Sequence, residues 1–333
     1  MRNYGILYER LISSVPLDVR ENLTPIPWPK GTIPVVVPNH FNGDGPLPKA
    51  DVVVCTYTKA EGQALADVLS PELELSNWTP YKQNFSSYLP DLTWRSPAKE
   101  AKCLGQYALV DIGSKRVLLF RSELHLATDS KALPLRRLWN QMIDETSCSV
   151  WIDTGTAGGI GSEVVEGDTV VAANLMFDCT GQFKSEPWAH QSFKTTLDVS
   201  GVDWEAAEQL MTVNARMLRP EASRDPKVWH ADVITCDSFL FDDVEDSFGL
   251  QTYDNGAAQA EEMDSATICL CGEDQGDKMP KYISLRSISD PQMPRGSSVE
   301  AEKRAASQIY LKYGYAAQVA TLIAVHQVIA SLA

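Results

Sequence analysis

Short runs of β-branched and aromatic residues alternate along this 333-residue chain with longer segments of helical periodicity. The strand-like runs include DVVVC at 51–55, SVWID at 149–153, VWHADVITC at 228–236 and KYISLRSIS at 281–289. Strands that alternate with helices pack as a sheet covered by helices. The sequence therefore predicts an α/β fold, with three α/β/α layers around a central mixed sheet.

Prolines concentrate near the start of the chain, in PIPWPKGTIPVVVPNHFNGDGPLP at 25–48. Proline lacks the amide hydrogen that helices and central strands need. We therefore predict that residues 1–50 form an irregular extension, either wrapped on the body or used at a subunit contact. Residues 51–333 are predicted to form a single domain.

Helical periodicity predicts helices at 133–146, 203–218 and 257–271, and a last long helix that ends the chain. YALVDIG and KRVLLFRSE, at 107–113 and 115–123, predict a hairpin. The C-terminal AAQVATLIAVHQVIASLA is apolar enough to resemble a membrane span. Polar side chains interrupt it and no basic flank follows, so we predict a largely buried closing helix.

Acidic residues outnumber basic ones by 44 to 29, which gives a formal net charge of −15. Nucleic acids and anionic membranes favour a basic surface, so neither is an expected partner. The seven cysteines include no C-x-x-C pair, which predicts reduced thiols and no zinc site. The first fifteen residues, MRNYGILYERLISSV, lack a continuous apolar run and predict no signal peptide. We expect a cytoplasmic protein.

The stretch VWIDTGTAGGIG at 150–161 has two incompatible interpretations. Asp153-Thr154-Gly155 matches the active-site tripeptide of pepsin-like proteases, which need two such loops to share one proton. The chain has one, because the nearest second candidate at 111–113 has isoleucine in its middle. The alternative is a strand that runs into a glycine turn, although the spacing fits neither a dinucleotide fingerprint nor a P-loop.

Four segments in order favour the glycine-turn interpretation. TGTAGGIGSEVVEGDTVVA at 154–172 resembles a signature of the nucleoside phosphorylase and nucleosidase superfamily. VVVCTYTKAEGQAL at 52–65, EEMDSATICLC at 261–271 and SLRSISD at 284–290 resemble three further segments of that family, and TCDSFL at 235–240 resembles a fourth more weakly. The resemblance implies the family's three-layer fold, a homo-oligomer, and cleavage of the bond between a purine and ribose.

The resemblance also implies roles for the residues at the ends of these segments. Asp290, with Ser289, is expected to protonate or hydrogen-bond the departing base, and a helix N-cap or turn aspartate before Pro291 is the alternative. Met263 and Asp264 match the family's ribose clamp, but the family usually has glutamate at the position of Asp264. The missing methylene shortens the reach by about 1.5 Å, so we expect that the helix lies closer, that Glu262 assists, or that the sugar is held differently.

The nucleophile side of the site is expected around the glycine turn. Glu61 matches the carboxylate that orients or deprotonates water, although a helix's first turn also favours a glutamate. Thr156 and the turn residues Gly155, Ala157 and Gly158 are expected to line this side. Phe239 matches the aromatic residue that stacks on the base, and a core phenylalanine is the alternative.

The choice of nucleophile depends on positive charge. Phosphorolytic relatives carry arginine at the position of Asp153, and a carboxylate there repels phosphate. Arg121 and Arg286 are the basic residues near the candidate loops, where each has an ion-pair role as alternative. We therefore expect a purine nucleosidase that uses water, with no metal and no organic cofactor. A phosphorylase aided by Arg121, and a non-catalytic nucleoside- or nucleotide-binding protein, remain alternatives.

Overall fold

The computed structural model of the protein describes residues 15–38, 42–161, 163–218, 224–237, 258–290 and 299–332. Within these ranges eleven strands form one mixed sheet. The strands are β1 Val35–Val36, β2 Val52–Thr56, β3 Thr79–Tyr81, β4 Gly105–Ile112, β5 Lys115–Ser122, β6 Val150–Gly159, β7 Thr169–Asp178, β8 Ser192–Lys194, β9 Val228–Cys236, β10 Ala258–Glu262 and β11 Lys281–Asp290.

The α-helices of the described residues lie between and after these strands. They are α1 Leu17–Arg20, α2 Lys59–Leu69, α3 Phe85–Tyr88, α4 Pro97–Ala101, α5 Pro134–Thr146, α6 Trp204–Leu218, α7 Gly272–Gln275 and α8 Val299–Ser331. Short 3-10 helices occur at Leu75–Asn77, Leu126–Thr128, Ser265–Cys271 and Gly276–Lys278.

Strand β6 is the centre of the sheet because it has three partners. On one side it pairs in parallel with β2, and the sheet continues through β5 and β4 to β1. On the other side it pairs with both β10 and β11. Since β10 pairs with β9, β9 with β7 and β7 with β11, these strands and β6 close into a ring.

Alternate residues of β2 point to opposite faces of the sheet, as the period of a strand requires. Val53 and Cys55 enter the hydrophobic core that contains the apolar face of α5. Val52 and Val54 enter the core on the opposite face, which contains buried side chains of α2 and α8. The central mixed sheet between helices confirms the predicted fold class.

Two predicted elements are wrong. Residues 257–271 were expected to be one helix, but Ala258–Glu262 is strand β10 and a 3-10 helix begins only at Ser265. Parallel pairing with β9 outweighs the local helical composition. The second error concerns the glycine turn after residue 153. Strand β6 runs through Gly159, because β11 pairs along it and β10 pairs with its last two residues.

The segment before β2 packs against helices of the body. Trp28 stacks on His326 of α8 with ring centroids 3.8 Å apart. His326 Nε2 lies 2.6 Å from the carbonyl oxygen of Thr32. Arg20 forms ion pairs with Asp67 in α2 and with Glu74. The division of the chain at residue 50 stays a prediction.

Helix α8 is buried along most of its second half, as predicted for a closing helix. Among the described helices, none combines the length and the apolar character needed to cross a membrane. All seven cysteines are buried free thiols.

Candidate active site

The carboxyl-terminal end of β6 forms the base of the candidate site. Parallel strands β2 and β11 flank β6, so their carboxyl ends reach the same edge of the sheet. Ligand sites in α/β sheets commonly lie at this edge. Within β6, Thr156 and Gly158 are half-buried, whereas the other residues of the strand are buried. We call residues 155–159, where β6 leaves β2 and continues to pair with β10, the bend of β6. The exposed side of these residues is the surface that a ligand can contact.

Glu61 reaches this bend from the first turn of α2, where it completes a capping box with Thr58. Its Oε2 accepts hydrogen bonds from Thr58 N at 2.9 Å, Tyr57 N at 3.1 Å and Thr56 Oγ1 at 3.0 Å. Its Oε1 accepts from Thr156 N at 2.8 Å and Thr156 Oγ1 at 2.6 Å. The carboxylate thus joins the start of α2 to the bend of β6.

Glu61 is 2% exposed, so burial alone would raise its pKa. The charge of Arg286 and the hydrogen bonds from Thr156 and Thr58 act in the opposite direction and leave the pKa below its usual value. Glu61 is therefore a carboxylate at neutral pH, although it is removed from water.

Arg286 of β11 supplies a buried positive charge behind the bend. Its Nη2 pairs with Asp153 of β6 and lies 2.9 Å from Oε2 of Glu262. Its Nε donates to Ser265 Oγ at 2.8 Å. A buried arginine needs such partners, because transfer of an unpaired charge from water is unfavourable. The guanidinium is therefore committed to fixed protein acceptors.

Asp153 does not face the ligand side of the bend, because its carboxylate is buried against Arg286. Tyr57 Oη and Ser265 Oγ also donate to it. Burial raises the pKa of Asp153 despite the opposing effects of Arg286 and these hydrogen bonds. Burial likewise raises the pKa of Glu262. The charge of Arg286 opposes this increase, and the charge of Asp153 adds to it. The two acids share one arginine, and each disfavours the charge of the other.

Gly155 allows Glu61 and Arg286 to approach the same point of β6. A Cβ at residue 155 would lie under 3.0 Å from Arg286 Nη1 and 3.1 Å from Glu61 Oε1. A Cβ at residue 158 would meet nothing closer than Asp290 Oδ2 at 3.8 Å. The first glycine is thus required by close packing, whereas a methyl group at the second would make only ordinary van der Waals contacts.

Asp290 ends β11 directly opposite Gly158 of β6. It is half-buried, and Oγ of the neighbouring Ser289 lies 2.5 Å from its Oδ1. Ser289 Oγ also lies 3.3 Å from the carbonyl oxygen of Ala157. Asp290 and Glu61 therefore meet the bend at positions two residues apart, at Gly158 and Thr156.

Met263 and Asp264 directly follow strand β10. Asp264 is 2% exposed, and its carboxylate contacts the turn at 125–126. Leu126 N donates to Oδ1 at 2.9 Å, and His125 Nε2 lies 3.0 Å from Oδ2. Met263 is half-buried. Glu262 links this pair to Arg286, because its Oε2 also accepts from Asp264 N at 2.7 Å.

Arg121 does not belong to this constellation. It is 3% exposed and pairs with Glu123, and its Nη2 also donates to Gln106 Oε1 at 3.0 Å. Its charge is therefore balanced within the β4–β5 hairpin. Phe239, the predicted stacking residue, lies outside the described residues.

The structure brings most of the predicted residues together. Those at the bend are Glu61, Gly155, Thr156, Ala157, Gly158, Ser289 and Asp290. Glu262 pairs with Arg286 and accepts from Asp264 N, and Met263 lies between these two acids in the chain. Three contributors were not predicted from the sequence, namely Tyr57, His125 and Ser265. Tyr57 and Ser265 lie inside two of the quoted segments, whereas nothing in the local sequence marks His125.

In the described ranges, no group of three or more His, Cys, Asp or Glu side chains is arranged to hold a metal ion. The expectation of a reaction without metal or cofactor stays a prediction.

A sequence model of the phosphorylase superfamily matches residues 84–313. Comparison with curated proteins finds no match.

Two solved structures illustrate the shared fold. The 5'-methylthioadenosine/S-adenosylhomocysteine nucleosidase of Neisseria meningitidis, in complex with methylthio-immucillin-A, is 16% identical, with a TM-score of 0.52 over 84% of this chain and 99% of that chain. The S-adenosylhomocysteine nucleosidase of Streptococcus pyogenes, in complex with 5-methylthiotubericidin, is 14% identical, with a TM-score of 0.52 over 87% of this chain and all 100% of that chain.

Proposed function

Because the chain belongs to the phosphorylase superfamily, we propose that it hydrolyses the N-glycosidic bond of a purine nucleoside or nucleoside derivative. The products are the free base and the ribose moiety. The two similar structures are nucleosidases by name, and each was solved with a nucleoside-like ligand. A purine nucleoside is therefore the substrate class that we assign to the bend of β6.

One observation carries the proposal: two carboxyl groups, Glu61 and Asp290, meet the same bend at positions two residues apart. Cleavage of the glycosidic bond leaves negative charge on the base and positive charge on the sugar. The reaction therefore needs a proton donor for the base and an anion near the sugar and its nucleophile. A half-buried acid and a buried carboxylate at neighbouring positions of the bend meet this demand.

Asp290 acts on the base side in this proposal. It lies at the end of its strand and is half-buried, so a purine above Gly158 can reach its carboxyl group. Ser289 contacts Oδ1 of Asp290, and Oδ2 faces Gly158. This arrangement directs one oxygen of the acid toward the place of the departing base.

Glu61 acts through Thr156, which refines the expectation that it contacts water directly. Both of its oxygens already accept hydrogen bonds from protein groups, and a carboxylate accepts about four. The Thr156 hydroxyl donates to Glu61, so its own lone pairs can accept from a water molecule on the exposed side of the bend. We propose that Glu61 orients Thr156, and Thr156 orients the attacking water.

Water is favoured over phosphate because the arginines near the site are paired with acids. Arg286 is shared by Asp153 and Glu262, and Arg121 is held by Glu123. A phosphate dianion would have to compete with these fixed carboxylates for each guanidinium. This pairing supports hydrolysis rather than phosphorolysis.

The remaining assignments belong to the same proposal. Met263 and Asp264 hold the ribose, and Phe239 stacks on the base. We also propose a cytoplasmic homo-oligomer whose partner is a nucleoside-type small molecule, and not nucleic acid or a membrane. The net charge of −15 supports the last point.

The proposal is tested by incubating the protein with adenosine, inosine, guanosine and 5'-methylthioadenosine, with and without phosphate. Free base is measured by chromatography. Release without phosphate supports hydrolysis, and phosphate-dependent release identifies a phosphorylase instead. Glu61→Gln should abolish release, whereas the exposed Glu72→Gln serves as the matched control. Absence of base from every substrate, with the fold intact, would leave only a nucleoside-binding role.

A further inference from the structure

The carboxylate of Asp264 has fewer hydrogen-bond donors than the other acids around Arg286. Glu61 accepts from three backbone amides and two hydroxyls. Glu262 accepts from two amides, a hydroxyl and Arg286. Among the described residues, Asp264 accepts only from Leu126 N and His125. A buried carboxylate normally fills about four acceptor positions, so Asp264 has room for two more donors.

His125 meets Asp264 in one defined tautomer. It is the N-cap of the 3-10 helix Leu126–Thr128, where its Nδ1 accepts from Ala127 N at 3.3 Å. The ring proton of the neutral imidazole therefore lies on Nε2, which points at Asp264 Oδ2 from 3.0 Å. His125 is thus a donor to Asp264 because of the backbone bond made by its other nitrogen.

The turn that carries His125 is held in place from several sides. Thr93 Oγ1 donates to Thr128 O at 2.6 Å, and Gln182 Nε2 donates to Asp129 O at 3.0 Å. The ring of Tyr57 packs edge-on against the imidazole, with centroids 5.9 Å apart. The imidazole therefore approaches Asp264 from a fixed direction.

The backbone of Asp264 is fixed as well. Its N–H donates to Glu262 Oε2 at 2.7 Å, and its carbonyl accepts from Thr267 N at 2.9 Å. With both oxygens of the side chain bonded from the 125–126 turn, each oxygen keeps about one free acceptor position. Two adjacent acceptors on one rigid carboxylate suit two adjacent hydroxyl groups.

We infer that His125 is a positioning residue that presents Asp264 to the 2'- and 3'-hydroxyls of ribose. The inference rests on the proposed function and adds a specificity determinant to it. Aspartate reaches less far than glutamate, and the His125 turn compensates by fixing both oxygens of the shorter side chain. A substrate that lacks the 2'-hydroxyl leaves one buried acceptor unpaired, so the protein should discriminate against 2'-deoxyribose.

The test compares adenosine with 2'-deoxyadenosine in two variants. His125→Met removes the donor to Asp264, whereas His125→Gln keeps an N–H group in reach of it. In His125→Met, kcat/KM for adenosine should fall by about tenfold or more, with little change for 2'-deoxyadenosine. His125→Gln should retain most of the discrimination. His190→Met, at an exposed histidine, is the matched control, and thermal melting monitors the fold.

The outcomes separate this inference from the proposed function. If His125→Met prefers adenosine over 2'-deoxyadenosine as strongly as the wild-type protein does, the inference is wrong. It is also wrong if His125→Met and His125→Gln lose this preference to the same extent. If the wild-type protein releases no base, the proposed hydrolase is wrong, and the same comparison is made by calorimetric binding of adenosine and 2'-deoxyadenosine. In that binding experiment, tighter binding of adenosine that is lost in His125→Met supports the role of His125 in presenting Asp264. Equal binding of both nucleosides by the wild-type protein overturns it.

Discussion

Gly155→Ala tests whether Glu61 and Arg286 require the bare backbone of β6 between them. Gly155 has no left-handed φ, so alanine can adopt its backbone conformation. The added methyl group would lie under 3.0 Å from Arg286 Nη1 and 3.1 Å from Glu61 Oε1. Arg286 cannot simply retreat, because Asp153, Glu262 and Ser265 hold it. The substitution must therefore displace a buried, ion-paired guanidinium.

The size of the effect follows from these contacts. Overpacking of a buried site costs about 1–3 kcal/mol, and weakening a charge-assisted hydrogen bond costs about 1.5–3 kcal/mol. We expect a combined loss of about 3 kcal/mol in the free energy of unfolding, because displacement relieves part of the clash. For a chain of 333 residues, an unfolding entropy of about 2 cal/mol/K per residue converts this loss into a decrease of about 4 °C in Tm.

Gly158→Ala is the matched control, since a methyl group there meets nothing closer than 3.8 Å. Thermal unfolding of the two variants is compared with the wild-type protein by circular dichroism. Gly158→Ala should melt within about 1 °C of wild type, as surface-facing substitutions usually do. Equal melting of Gly155→Ala and Gly158→Ala would refute the close approach of Arg286 and Glu61 at residue 155.

Three further predictions concern single side chains. Asp290→Asn should lower the rate of base release at least about a hundredfold without a change in melting, as expected for a general acid; an unchanged rate removes Asp290 from the mechanism. Asp153→Asn removes one of the two acids paired with Arg286 and should lower the free energy of unfolding by about 3 kcal/mol in urea titrations, and an unaltered midpoint would contradict the buried pair. Burial lowers the pKa of His326 from 6.5 to about 4, so between these values the unfolded chain binds a proton that the folded chain does not. The free energy of unfolding should therefore decrease by up to about 3 kcal/mol as the pH falls from 6.5 to 4. His326→Gln should show a smaller decrease, and an equal decrease in this variant would show that His326 is not its source.

The elements that the sequence predicted well are those with strong local periodicity. Strand β9 has the predicted bounds, and α5 begins one residue after the predicted start. Residues 257–271 failed because their local composition is helical, whereas β10 is stabilised by pairing with β9, a partner more than twenty residues away. Non-local pairing of this kind leaves no signal in a short window of sequence.

The residues of the candidate site were likewise predictable only where they lie in a segment with a recognisable pattern. Glu61, Thr156 and Asp290 were found because each lies inside a recognisable segment. The pairing of Arg286 with Asp153 joins residues 133 positions apart, and the bond from Leu126 to Asp264 spans 138. A single sequence identifies the residue types of such pairs but not their partners. His125 was not predicted for this reason, since its proposed role depends on its contact with Asp264.

The insertion of β11 between β6 and β7 also determines when the site can form. Strand β11 begins more than 120 residues after the end of β6 and supplies both Arg286 and Asp290. During synthesis, β6 therefore leaves the ribosome long before the strand that completes it. Contacts between such distant segments form slowly, because closing a long loop is entropically unfavourable. We expect nascent chains that stop before residue 281 to expose an unpaired side of β6 and to depend on chaperones until β11 has been synthesised.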